Sequence, residues 1–232
     1  MSATETTATV LDLAELGVRE VNRTLHDAPA GESFVIANPQ GRHAIAAGCR
    51  SAVTVEVHGH AGYYCAGMNQ EAVVRVHGMA GVGVAENMMS GRVEVQGLAG
   101  QSAGASAHGG LLVIEGDAAA RCGISLKGAD IVVKGSVGHA SAFMAQSGRL
   151  LVLGDAGAAL GDSIYEARIY VRGAVSDLGA DCVEKPMGEA HLAEVTLLLD
   201  EAGVDGVAPS ELRRYGSGRQ LYHWHPVNRS LF

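Results

Sequence analysis

The sequence predicts an all-β fold, a single-stranded, right-handed parallel β-helix (solenoid) of about seven to eight 19-residue coils with short flanking helices. The first observation is a glycine that recurs with a constant 19-residue period. These marker glycines are Gly59, Gly78, Gly97, Gly116, Gly135, Gly154 and Gly173. The second observation is that aliphatic residues stand two and four positions before every marker glycine. Residues two apart share one face of a strand, so each repeat contains one short strand with a buried face. A short strand at one fixed phase of the period is typical of a solenoid.

The marker glycines are predicted to lie at a corner of each coil. A corner needs either a positive φ or a close approach of two backbones, and glycine permits both. A further small residue follows seven positions later in every repeat. This small position is occupied by Ala66, Ala85, Gly104, Gly123, Ala142, Gly161 and Ala180. We expect it where the wall of the solenoid folds inward and a side chain has little room.

The period and its flanks divide the chain into three parts. Residues 1–32 are an N-terminal tail and helix, residues 33–187 the β-helix domain, and residues 188–232 a C-terminal capping helix with a partner-docking tail. Apolar residues at helical spacing predict helices over residues 17–27 and 189–202. We expect the second helix to cover the open end of the solenoid, which would otherwise expose strand edges. In an imperfect first coil, Ala47 falls at the small position and Gln40 at the marker position.

Composition excludes several classes of partner. The formal net charge is −8 and the sequence shows no basic stripe, which argues against nucleic-acid binding. No apolar run approaches the roughly 18–20 residues that cross a bilayer, so no membrane association is expected. The first nine residues are polar and lack the apolar region of a signal peptide. The chain is therefore expected to be cytoplasmic.

The four cysteines show no metal-binding spacing. They are Cys49, Cys65, Cys122 and Cys182. Cys65 and Cys122 share one phase but lie three coils apart, about 14 Å at the usual strand spacing, which is too far for a disulfide. We expect free thiols that fill small core positions.

Histidines and methionines are the other residues with chemical potential. His58 and His77 share one phase in adjacent coils and should stack about 5 Å apart on the outer wall, with His60 nearby. Their ladder continues through Gln96, Glu115 and Lys134, so a solvated outer face is favoured over a metal site. His223 and His225 form a second pair, but two ligands alone make a poor zinc site.

The methionines fit either core filling or a partner surface; they are Met68, Met88, Met89 and Met144. No catalytic, cofactor-binding or metal-ligating residue is predicted on this chain.

The C-terminal tail is predicted to dock a partner rather than to complete the core. The 19-residue period ends near Met187, yet the tail concentrates aromatic and apolar side chains in a chain poor in aromatics. Tyrosine and tryptophan are common interface anchors. The predicted docking residues are Tyr215, Leu221, Tyr222 and Trp224.

One coil carries the repeat in its sharpest form, with Gly97, Gly100 and Gly104. This spacing, Gly-x2-Gly-x3-Gly, resembles the motif of the GXGXG β-helix domain at the C-terminus of the glutamate synthase large subunit. Gly154, Gly157 and Gly161 repeat the motif, whereas the coil of Gly116 and Gly123 has Ala119 in the middle. The resemblance covers most of residues 11–187, and the tail from Tyr215 to Trp224 is most similar to stand-alone split subunits.

The resemblance implies a non-catalytic structural subunit. In that family the β-helix has no active site and supports an amidotransferase domain and an FMN-bearing (β/α)8 synthase domain, framing the route between them. This chain contains neither catalytic domain, so FMN is expected on a partner subunit. The implied partners are an amidotransferase-like subunit and an FMN-binding synthase-like subunit in a hetero-oligomer.

Several complexes use this domain. The resemblance favours the stand-alone subunit of N-methylglutamate synthase (methylamine–glutamate N-methyltransferase). The alternatives are the same role in another split glutamate synthase, a chain similar to the β-helix subunit of formylmethanofuran dehydrogenase, and a solitary structural or binding solenoid without enzyme partners.

Overall fold

A computed structural model of the protein describes residues 8–219. Over these residues the chain forms one eleven-stranded sheet in the order β1-β2-β3-β4-β5-β6-β7-β8-β9-β11-β10. The strands are β1 (Thr9–Asp12), β2 (Ser33–Ala37), β3 (Thr54–Val57), β4 (Val73–Val76), β5 (Arg92–Val95), β6 (Leu111–Ile114), β7 (Lys127–Val133), β8 (Ser147–Val152), β9 (Arg168–Val171), β10 (Cys182–Lys185) and β11 (Arg213–Ser217). The helices are α1 (Val18–Asp27) and α2 (Glu189–Glu201), with one 3-10 turn at Pro209–Glu211.

The parallel β-solenoid predicted from the period is confirmed. Strands β3 to β9 pair in parallel in a 19-residue register, so that Val57 lies beside Val76 and Val76 beside Val95. The one irregularity lies between Lys127 and Asp130 of β7. These inward aliphatic side chains are fully buried and form the core stack. A second wall carries a ladder of single-residue parallel bridges two positions after the marker glycines. Its members are Ala61, Ala80, Ala99, Ala118, Val137, Ala156 and Val175.

The third wall of each coil consists of turns with an alternating backbone. In the coil of Gly59, the residues with left-handed φ are Tyr64 (61°), Ala66 (52°) and Met68 (55°), and the same three phases are left-handed in the next five coils. Ala66 and its equivalents point into the core, which is why the small position is small. Most of these left-handed residues are not glycine, and sequence patterns did not predict their conformation.

The first and last coils depart from the constant period, which corrects three assignments. In the first coil Phe34 pairs with Val55, which is 21 residues away instead of 19. A Cβ atom on Gly59 would lie 2.9 Å from Cγ of Pro39, so Gln40 does not hold the marker position. The Ala66 amide donates to the Ile45 carbonyl, just as the Ala85 amide donates to the Cys65 carbonyl in the next pair of coils. Ala46, which follows Ile45 as Ala66 follows Cys65, therefore holds the small position instead of Ala47. In the last coil Leu160 pairs with Leu178, one position short of the period. Gly179 therefore takes the small position that the period assigned to Ala180.

The N-terminal end of the solenoid is closed by α1. Val21 and Leu25 of this helix are fully buried in the main core cluster. The Asn22 amide donates to the Ala44 carbonyl at 2.7 Å, and its carbonyl oxygen accepts from the Ala46 amide at 2.9 Å. The helix thus pairs with backbone groups of the first coil that have no preceding coil to bond.

Helix α2 does not cover the open end, which corrects the sequence-based prediction. It packs on the outer face of strands β6 to β9, where Val195, Leu198 and Leu199 form a second apolar cluster with the sheet. The outer residue at one register position changes from charged to apolar along the sheet, in the order Glu56, Arg75, Glu94, Val113, Val132, Leu151 and Tyr170. Burying this apolar stretch favours a helix over the sheet face rather than over the end.

The C-terminal end of the solenoid is completed by β11. This strand inserts antiparallel between β9 and β10, so Tyr215 pairs with Ile169 on one side and with Glu184 on the other. The described part of the tail therefore belongs to the sheet, although the 19-residue period ends before it.

Candidate functional site

The marker glycines from Gly78 to Gly173 form a continuous backbone ladder at one corner of the solenoid. The Gly97 amide donates to the Gly78 carbonyl at 2.9 Å, and Gly116 donates to Gly97 at 3.2 Å. A Cβ atom would lie 2.6 Å from the Gly59 oxygen at Gly78, and 2.9 Å from the Gly78 oxygen at Gly97. At Gly135, Gly154 and Gly173 a Cβ atom would lie 2.3–2.7 Å from the oxygen of the preceding marker glycine. Of the seven, only Gly59 has a left-handed φ (140°), so close coil-to-coil approach is the reason for glycine at the others.

The three glycines of the sharpest motif are each constrained by a different contact. A Cβ atom on Gly100 would lie 2.7 Å from the backbone carbon of Gly81 in the preceding coil. Gly104 has a φ of 65°, and its Cβ would lie 2.5 Å from Cδ1 of Ile131 in the core. Gly123 and Gly161, which hold the small position in two other coils, are also left-handed, with φ of 67° and 64°. The glycines of this motif therefore pack one coil against the next and against the core.

The four thiols are free and buried. Burial raises the pKa of Cys49 and Cys182 to about 11 and that of Cys65 and Cys122 to about 12. At neutral pH these thiols are protonated and shielded from solvent, which is the arrangement of structural cysteines rather than of nucleophiles.

The outer-wall histidines lie where the period predicts. The rings of His58 and His77 are 5.0 Å apart in an edge-to-face arrangement. His77 Nε2 lies 2.5 Å from Glu56 Oε2, and His60 Nδ1 accepts a hydrogen bond from the Met79 amide at 3.0 Å. Within residues 8–219 no three histidine, cysteine, aspartate or glutamate side chains are grouped to hold a metal ion. His223 and His225 lie outside the described residues.

An apolar patch is exposed at the corner of the N-terminal coils. We call this patch the N-terminal corner; it consists of Tyr63, Met79, Val82 and Leu98, all of which are exposed. Tyr63 and Val82 share one phase of adjacent coils, and Met79 and Leu98 share another. Met88 is fully buried, whereas Met68, Met89 and Met144 are about half exposed. The methionines therefore divide between core filling and surface.

The prediction that Tyr215 docks a partner is wrong. The residue is only 2% exposed and packs in the main core cluster, because β11 places alternate side chains on the inner face of the sheet. Leu221, Tyr222 and Trp224 lie outside the described residues, and their docking role stays a prediction.

The structure also brings together basic residues that sequence patterns did not connect. Arg168 on β9, Lys185 on β10 and Arg214 on β11 line one groove on the outer face of the sheet. They come from three separate segments, and only the insertion of β11 between β9 and β10 makes them neighbours. No helix within residues 8–219 is long and apolar enough to cross a membrane.

The fold and these surfaces define a parallel β-solenoid whose glycines pack one coil on the next and whose thiols are buried. No protein-family model and no solved structure matches the sequence. The chain is 57% identical over 226 residues to Protein GlxC from Rhizobium meliloti (strain 1021), and the match covers 96% of this chain and 99% of that protein. The chain belongs to the family of Protein GlxC.

Proposed function

We propose that this chain is a non-catalytic structural subunit of a glutamate-synthase-related amidotransferase complex. One observation carries the proposal: the glycines through which the sequence resembles the GXGXG domain are the ones that bring successive coils into contact. Gly97 and Gly100 face backbone atoms of the preceding coil, and Gly104 faces the core. The motif thus builds a stiff stack of coils, as a scaffold requires, rather than a reaction site.

The finer proposal is N-methylglutamate synthase, with the chain framing the route between an amidotransferase-like and an FMN-binding synthase-like subunit. In this arrangement FMN is held by the synthase-like partner. The match to Protein GlxC supports a stand-alone subunit, because 99% of that protein aligns with this single solenoid and its flanks. The tail residues that resemble split subunits support the same assignment.

The N-terminal corner is the surface we assign to a partner subunit. Its four apolar side chains lie on adjacent coils, and Tyr63 is held by a stacked ring contact with His43 at 4.5 Å. Interfaces are enriched in tyrosine and methionine, and burial of exposed apolar area drives association. The apolar outer face of β6 to β9 is not exposed in the same way, because α2 covers it.

Purification of the tagged full-length chain from its native host at native expression levels tests the proposal. We expect mass spectrometry to find an amidotransferase-like and an FMN-binding synthase-like protein in stoichiometric amounts. Recovery with molybdenum or tungsten dehydrogenase subunits would instead indicate a relationship to formylmethanofuran dehydrogenase. Recovery of the chain alone would contradict the proposal and favour a solitary solenoid.

A further inference from the structure

A groove of about 550 Å³ lies where strands β9, β10 and β11 meet the N-terminal end of α2. The charged side chains that line it are Arg168, Lys185, Arg214, Arg219 and Glu166. Four cations and one carboxylate thus converge on one site in a chain whose formal net charge is −8. Clefts lined by charge of one sign concentrate ligands of the opposite sign.

Two of these cations face each other directly across a strand pair. Lys185 of β10 is the register partner of Arg214 of β11, so both side chains project from the same face of the sheet. Like charges in directly opposite positions are destabilising. Arg168 pairs with Glu194 at 2.9 Å and Arg219 pairs with Asp181. Among the residues that the structure describes, neither Lys185 nor Arg214 forms an ion pair with a carboxylate, so no such pair within residues 8–219 offsets their repulsion.

The Arg214 guanidinium is oriented by the backbone. Its Nε donates to the Pro186 carbonyl at 3.1 Å, which leaves the terminal nitrogens as donors. A guanidinium presents its donors in a planar fork that matches carboxylate and phosphate oxygens. Lys185 adds a point charge from the neighbouring strand.

His191 adds a neutral donor to the groove. Its Nδ1 accepts a hydrogen bond from the Gly188 amide at 3.2 Å, so the proton of the neutral ring is on Nε2. Burial, together with the nearby Arg214 and Arg168, lowers the pKa of His191, against the opposing effect of Glu194. The residue lies in the first turn of the 13-residue helix α2, whose N-terminus carries partial positive charge.

Gly216 keeps the groove open between the basic side chains. It follows Tyr215 on β11 and has no side chain to fill the space. A Cβ atom there would lie 3.8 Å from the Ala167 oxygen and 4.0 Å from Cγ of Lys185, so a small residue is tolerated by the fold. A larger side chain would project into the groove.

We infer that this groove binds a small multivalent oxyanion, a dicarboxylate or a phosphate compound, through Lys185 and Arg214, with His191 as a neutral hydrogen-bond donor. The volume is in the range of small-molecule sites. A bound dianion would neutralise the facing cations of β10 and β11. This inference does not depend on the proposed function.

Calorimetric titration of the full-length chain with glutarate and, separately, with inorganic phosphate tests the inference. We expect saturable binding of at least one of these anions, weakened by added salt, with a preference that identifies carboxylate or phosphate as the recognised group. Lys185→Gln and Arg214→Gln should each weaken binding at least tenfold. Arg50→Gln removes the same charge from an exposed site in the first coil and should leave the affinity unchanged.

Two further measurements distinguish a loss of binding from a loss of folding. Lys185→Gln removes a like-charge contact, so we expect the melting temperature of the ligand-free variant to equal or exceed that of the wild type. Gly216→Val should abolish binding by filling the groove, whereas Gly216→Ala should fold and retain measurable affinity. Absence of binding by both anions, full affinity in Lys185→Gln, or an equal loss in Arg50→Gln would overturn the inference.

Discussion

The Gly97 amide donates a hydrogen bond to the Gly78 carbonyl at 2.9 Å, and a Cβ atom on Gly97 would lie 2.9 Å from that same oxygen. The two coils can approach closely enough for this hydrogen bond only because Gly97 has no side chain. The same relationship recurs along the corner ladder at Gly116, Gly135 and Gly154. A single close contact, repeated once per coil, accounts for a glycine at each of these marker positions.

Substitution of Gly97 by valine should therefore be strongly destabilising. The side chain would force the coils of Gly78 and Gly97 apart, and we expect the free energy of unfolding to fall by about 3 kcal/mol through overpacking. Gly17→Val is the comparison: no atom lies within 4 Å of a Cβ at Gly17, so only the loss of glycine at the N-cap of α1 should count, at about 1 kcal/mol. Denaturant unfolding measures both changes. A Gly97→Val protein as stable as the wild type would show that the ladder is not needed for stability.

Truncations separate the structural part of the C-terminus from the part predicted to dock. Ending the chain after Val207 removes β11, exposes the edges of β9 and β10 and takes Tyr215 from the core, so the melting temperature should fall sharply. Ending it after Arg219 keeps every strand that the structure describes, and the melting temperature should fall far less than after the first truncation. Loss of partner co-purification with the second truncation is expected if Leu221, Tyr222 and Trp224 dock. Retained assembly would refute their role.

The sequence period predicted the strands and corners well because one coil repeats the same contacts. The aliphatic pairs, the small position and the spacing of His58 and His77 all follow from a constant register. The same regularity failed at both ends, where a longer first coil and a shorter last coil moved the assignments at Gln40, Ala47 and Ala180. End coils have another coil on one side only, so their length is less constrained.

Two features needed information that the repeat does not contain. The position of α2 could have been predicted from the sequence, because the outer residue of the sheet changes from charged Glu94 to apolar Val113 at β6. The 19-residue period does not contain this information, since it describes the inward-facing residues. The insertion of β11 could not be predicted from the repeat, because the antiparallel strand of residues 213–217 shares no sequence pattern with the coils. The basic groove depends on that insertion and was missed for the same reason.

The buried thiols should not react in the native protein. Their raised pKa values mean that folding favours the protonated form, so we expect no cysteine modification by Ellman's reagent at pH 8 and four modified cysteines after denaturation. The associated stabilisation is complete below about pH 9, the ordinary thiol value, and is lost as the pH rises towards 11–12. Melting temperatures should therefore decline over that interval. Rapid modification of any native thiol at pH 8 would contradict this prediction.

The N-terminal corner should matter for assembly and not for folding. Leu98→Asp places a charge in the exposed apolar patch, so we expect loss of co-purified partner with an unchanged melting temperature. Leu197→Asp is the control, because Leu197 is 59% exposed on the outer side of α2, away from the patch. Equal effects of the two variants on assembly would show that the corner is not a specific interface.

The flavin content of the chain purified alone, compared with that of the complex purified through it, tests the central claim most directly. A structural subunit without an active site should carry no FMN and show no turnover when isolated. The complex should contain FMN in proportion to the synthase-like partner, together with glutamine-dependent activity. Stoichiometric flavin on the isolated chain, or catalysis by it, would contradict the account.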